Sequence, residues 1–160
     1  MSATHFSGPV HSTGGFVGPE VSATPTNATA ATLAVTAASH GGRVVTLNRA
    51  GGIAVTLPAA TGSGTSFRFF VGTTFTSSGT IKVTGDDTMS GMALLTQDAA
   101  DTVVGFETAA DTDTITLNGT TTGGLLGAFV ELIDVAADKW YVYYSSAATG
   151  VEATPFSATV

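Results

Sequence analysis

The chain has 160 residues, a formal net charge of −7, no cysteine and only 11% charged side chains. That balance disfavours nucleic acid and anionic membrane surfaces as partners, because an acidic protein gains nothing from displacing phosphate counterions. The lack of cysteine excludes disulfides and thiolate metal sites, and the length suits one domain with a fair core.

The charge deficit is filled by Thr, Ala, Gly and Ser; Thr favours strands, Gly serves turns, and helix formers with long polar side chains are scarce, which argues for β structure. Residues 1–31 read as an extended N-terminal arm. Pro9, Pro19 and Pro25 exclude a long helix or central strand there. Phe6, Val10, Phe16, Val17 and Val21 nevertheless give the arm spaced apolar contacts, so it is expected to dock on a neighbour or on its own domain. The plainer alternative is a solvated terminus with incidental phenylalanines.

From residue 32 short β runs alternate with turn clusters. LAVTA (33–37) precedes the break SHGG. RVVTLN (43–48) and IAVTL (53–57) read as a hairpin, with Gly51 and Gly52 supplying φ > 0 at the turn. FRFFVGT (67–73) is the most apolar run. It places Phe67, Phe69 and Val71 on one face and Arg68 and Phe70 on the other, and is expected to be covered on both sides. TIKVTG (80–85) turns Ile81 and Val83 inward. A bend at Asp86–Asp87 follows, with Met89 and Met92 expected in the core.

Residues 93–107 are ambiguous between a helical turn and short strands. TITLN (114–118) is a strand. AFVELID (128–134) and KWYVYYS (139–145) form a hairpin with Trp140, Val142 and Tyr144 on one face and Tyr141 and Tyr143 on the other. The fold class is therefore all-β: an antiparallel β-sandwich, jelly roll or small barrel with an extended N-terminal arm. The body is expected over 32–147 and a short tail over 148–160. VVTL, AVTL, KVTG and TITL look alike, but no fixed period is visible, which argues against a solenoid. The first residues lack the basic and apolar regions of a signal peptide, and no apolar run reaches the ~20 residues of a spanning helix.

No catalytic constellation emerges. His5, His11 and His40 lack ligand spacing and cysteine partners for zinc. Asp86–Asp87 and Asp111-x-Asp113 match no calcium loop and read as turn residues; nothing tunes either pair for glycoside hydrolysis. There is no nucleophile elbow and no phosphate loop. No enzymatic activity, cofactor or metal is expected. Tyr141 and Tyr143 are candidates for a subunit interface or, less strongly, a sugar-stacking platform. The five basic residues, Arg43, Arg49, Arg68, Lys82 and Lys139, are scattered.

HFSGPVHSTGGFVG (5–18), GGRVVTLNRAGGIAVTLPAATGSGTSFRFFVGT (41–73), IKVTGDDTMSG (81–91) and KWYVYY (139–144) together resemble small virion structural proteins of tailed phages. The strand-loop-strand around LPAATGSG is also similar to modules of phage tail fibres and spikes. Within that class the chain looks most like a head decoration or cement protein. The resemblance implies a β-rich homotrimer on the capsid surface of the virion, assembled in the host cytoplasm. Its partner would be the major capsid protein, gripped through Phe6, Val10, Phe16, Val17, Tyr141 and Tyr143. The alternative is a tail or surface adhesin that binds a host receptor or glycan.

Overall fold

The computed structural model describes residues 24–98 and 100–159. The arm residues Phe6, Val10, Phe16 and Val17 lie outside the described residues. Among the described residues, short apolar runs broken by Gly, Pro and Asp form twelve strands: β1 (Thr26–Ala28), β2 (Thr32–Ala34), β3 (Val44–Leu47), β4 (Ala54–Thr56), β5 (Ser66–Val71), β6 (Gly79–Lys82), β7 (Thr88–Gln97), β8 (Val103–Glu107), β9 (Thr114–Leu117), β10 (Phe129–Ala136), β11 (Lys139–Ala148) and β12 (Phe156–Ser157). They make a seven-stranded sheet, ordered β1-β3-β5-β10-β11-β7-β8, packed on a five-stranded sheet, ordered β12-β9-β6-β4-β2. Among the described residues the single helix is α1 (Ala37–His40), one turn capped by the Thr36 side chain.

The all-β sandwich is as expected, and neither sheet closes into a barrel. Pairing, however, is mixed rather than wholly antiparallel. The first six strands alternate between the sheets. Consecutive strands therefore cannot pair, and each stacks in parallel on the strand two places earlier. Val45 aligns with Thr26 and with Phe69, while Val55 aligns with Leu33 and with Ile81. This is a short solenoid-like wind. Its period is hidden in the sequence because successive coils differ in length, from 19 residues between Thr26 and Val45 to 26 between Val55 and Ile81.

The expected 43–48/53–57 hairpin is corrected by the same alternation: β3 and β4 sit in different sheets, and the connection crosses between them. Of the two turn glycines only Gly52 takes positive φ, at 78°. A Cβ at Gly52 would approach the Ser78 carbonyl oxygen to 2.6 Å, so close passage against the next coil also requires glycine.

After β6 the chain changes mode. Residues 93–107 resolve into a strand hairpin, β7 against β8. The β10–β11 hairpin forms as expected, β10 pairs antiparallel with β5, and β11 runs parallel to β7. Strand pairing extends beyond the 32–147 span at both ends, through β1 on β3 and β12 on β9.

The inner faces meet in one apolar core. Phe67, Phe69 and Val71 alternate inward on β5, and Trp140, Val142 and Tyr144 on β11, all 1% exposed or less. The Phe67 and Trp140 rings lie 5.8 Å apart at 54°, a tilted contact that suits their quadrupoles. Two expectations fail here. The second face of β5 is open, with Phe70 exposed, and Met92 points outward while Met89 is buried. Counting by twos from Met89 reaches buried Ala93 and Leu95, so Met92 falls on the opposite side of the pleat.

Candidate functional site

The outer face of the seven-stranded sheet is built by the residues that alternate with this core. Register places Arg68, Glu131, Tyr143, Met92 and Glu107 in one row across five strands. A second row runs Phe70, Phe129, Ser145, Leu94 and Gly105, and a third Ser66, Ile133, Tyr141 and Ser90. Phe70, Tyr141, Met92 and Val103 are exposed on this side at 36%, 40%, 48% and 58%. Phe129, Ile133, Tyr143 and Leu94 are half-buried between them. The charge here is a surface pair: Arg68 Nε donates to Glu131 Oε1 at 2.8 Å. Such exposed pairs contribute little to stability, and Glu107 closes the same row with a further negative charge.

Apolar residues scattered singly need no explanation, whereas a contiguous band marks an interaction surface. Two shallow depressions lie within the band. One, of about 360 Å³, is bounded by Tyr143, Leu94, Thr96, Val103, Ser145 and Ala147. Its neighbour, of about 310 Å³, is bounded by Met92, Leu94, Gly105, Phe106 and Glu107. Of the sequence-derived candidates, Tyr141 and Tyr143 stand together here, two positions apart on β11 and on the same side of the sheet. The arm candidates lie outside the described residues. The exposed members Phe70, Met92 and Val103 were missed in the sequence. The alternation of β5, β7 and β8 is the signal that marks them as outward.

Two of the acidic residues singled out in the sequence, Asp87 and Asp113, have structural partners. Asp87 is buried and accepts from Ala60 N–H at 2.7 Å and Trp140 Nε1 at 3.3 Å. Asp113 accepts from Thr159 N–H and the Thr114 hydroxyl. The most engaged carboxylate, Asp134, escaped notice as an ordinary strand residue. It is buried at the end of β10 and accepts from the backbone N–H of Thr61, Gly62 and Ser63 and from the Thr61 and Ser63 hydroxyls, at 2.6–3.2 Å. Burial alone would raise its pKa. The donors from Ser63, Thr61 and Gly62 outweigh that and hold it at about 2, below its ordinary 3.8. Both oxygens are occupied, so Asp134 clamps the 61–63 loop and presents no free lone pair to a ligand.

His40 accepts from Thr36 N–H at 3.1 Å, closing the α1 turn. Tyr144 is buried, which pushes its pKa up to about 12 against the opposing bonds of Ser146 and Gly124; its hydroxyl donates to the Thr122 carbonyl at 3.0 Å. Among the described residues no three His, Asp or Glu side chains gather as a metal-binding group, and no helix is long and apolar enough to cross a membrane. Comparison with family models, curated proteins and solved structures returns no match.

Proposed function

We propose that this chain is a virion structural protein of a tailed phage, a decoration or cement subunit that binds and stabilises the head shell. The observation that carries this reading is the outer face of the seven-stranded sheet, where Phe70, Tyr141, Met92 and Val103 are exposed together on a body poor in charge. Such a protein works by binding energy. Each copy buries surface on the major capsid protein, and repetition over a symmetric shell multiplies a standard-size interface of about 1,600 Å² by avidity. Residues 1–23 add Phe6, Val10, Phe16 and Val17 to the contact, at about 25 cal/mol per Å² of apolar surface removed from water. Self-association into a homotrimer and a place on the capsid surface, after assembly in the host cytoplasm, belong to the same proposal. No catalysis, cofactor or metal is needed for it.

The test is co-sedimentation of the purified protein with phage heads lacking it. Deletion of residues 1–20 is expected to leave a folded body that no longer binds heads; retained binding by the truncated protein would sink the role of the arm. One observation favours a second reading, that of a glycan- or receptor-binding adhesin. Tyr141 and Tyr143 stand two positions apart on the outer face of β11, and neighbouring aromatics of this kind can stack a sugar ring. Under that reading, replacing both tyrosines by Ala abolishes attachment to cells but spares head binding. Under the leading reading head binding is lost.

A further inference from the structure

The two sheets leave four edge strands, and these are not alike. β1 and β2 have three residues each and β12 has two, whereas β8 has five. Pro25 immediately precedes β1, while Val103–Glu107 contains neither Pro nor Lys, the residues that guard an edge. Gln97 N–H donates to the Thr102 carbonyl and Thr108 N–H to the Gly91 carbonyl. Pairing in an antiparallel ladder alternates, so Val104 and Phe106 also turn their backbone groups toward β7. The N–H and C=O groups of Val103, Gly105 and Glu107 consequently point along the open edge, a template for one further strand. A depression flanks this strand on each side: the 310 Å³ one described above, and one of about 460 Å³ between Gly105–Glu107 and residues 154–158.

We propose that the β8 edge is the docking site for residues 1–23 of an adjoining copy of this chain. Charge chooses this occupant over a second β8. The edge is acidic at both ends, with Asp98 and Asp101 before β8 and Glu107 at its close. Antiparallel pairing of two β8 strands would turn Glu107 of each toward Asp101 and Asp98 of the other. Residues 1–19 hold no acidic side chain, while they carry His5, His11, Phe6, Val10, Phe16 and Val17. Position argues for an adjoining copy over the chain's own β8. Thr24 leads into β1, at the opposite edge of the same sheet, six strand spacings or roughly 29 Å from β8. A neighbour whose β8 edge lies beside that β1 edge is reached directly. Twenty-three residues span up to about 75 Å when extended, so length permits either route and it is the shorter path that favours the adjoining copy. The contact is head-to-tail, the kind that closes into a ring.

The experiment is the mass in solution of the full-length chain by light scattering, with two kinds of variant. Gly105→Pro removes the central edge N–H but no bond to β7, and the nearest atom to a side chain there is Leu94 Cδ2 at 3.6 Å. Val103→Lys guards the same edge by charge, and serves if the proline variant fails to fold. The second kind replaces Phe6 and Phe16 by Asp. The unaltered chain is expected at a mass of two or more chains and each variant at that of one chain. An equimolar mixture of an edge variant with the arm variant should return to a pair, since one supplies the arm and the other the edge. A single-chain mass for the unaltered protein, full association of both edge variants, or a mixture that stays apart overturns the proposal. The inference rests on no shell protein and moves Phe6, Val10, Phe16 and Val17 from the shell contact to the adjoining copy; its failure leaves the head-binding reading, arm included, standing.

Discussion

The two outer faces of the sandwich differ more than the folding of either sheet requires. Across the five-stranded sheet the outward positions read Thr32, Ala54, Thr80 and Thr116 in one row and Ala34, Thr56 and Lys82 in the next. None is a large apolar side chain. Across the seven-stranded sheet the equivalent positions hold Phe70, Phe129, Ile133, Tyr141, Tyr143, Met92 and Leu94. Both sheets contribute to the same core: Val55, Ile81 and Ile115 from one, Phe69, Leu132 and Val142 from the other, all at 1% exposure or less. The threonine face shows what outward positions of this body look like when they only meet water. Threonine suits a strand and exposes a hydroxyl. The aromatic face departs from that pattern without a gain in the core, a departure that docking under the proposed function would explain.

The comparison is sharpened by separating inner from outer residues in denaturant melts. The largest effect is expected for Trp140→Ala, which empties the core beside Phe67 and leaves Asp87 with one donor fewer; a loss of about 3–5 kcal/mol is predicted. Asp134→Ala is next, at roughly 3 kcal/mol, because the 61–63 donors lose their shared acceptor. The pH dependence has a definite sign. The folded pKa of Asp134 is about 2 against 3.8 unperturbed, so its contribution is present above about pH 4 and is lost as pH falls toward 2. Asp134→Asn should flatten that acid limb of the stability curve.

Tyr144→Phe should cost about 1 kcal/mol, the net worth of its bond to Thr122. In the unaltered protein the Tyr144 pKa is raised from 10 to about 12, so its contribution holds below pH 10 and declines as pH rises through 12. The phenylalanine variant should lack that alkaline decline. The smallest effects are expected outside, with Met92→Ala and Thr56→Ala each within about 0.5 kcal/mol of the unaltered chain. An outer-face loss as large as that of Trp140→Ala would break the comparison, since the aromatic face would then be needed for folding.

Much of the body was legible in the sequence because alternation has a period of two wherever one face is buried. RVVTLN, FRFFVGT, TITLN and KWYVYYS sort their residues inward and outward as the structure does. Pairing was not legible. Two strands separated by Arg49-Ala50-Gly51-Gly52 look like a hairpin, and nothing local says that the second crosses to the other sheet. The decisive contact is Gly52 against Ser78–Gly79, 26 residues further on. The aromatic outer face is legible at Tyr141 and Tyr143 and not at Met92, because a methionine suits a core gap equally well until the phase of its strand is fixed. Asp134 was illegible for a related reason: its donors lie 71–73 residues away in a loop, and one Asp in a strand carries no spacing to read.

Under the proposed function the aromatic outer face, and not the threonine face, docks the protein on a phage head. The direct measurement is co-sedimentation with heads for two folded variants, Met92→Asp with Tyr143→Ala on one face and Thr56→Asp with Thr80→Ala on the other. Loss of binding is predicted for the first pair and unchanged binding for the second. Equal binding by both, or loss only in the threonine-face variant, would contradict the account.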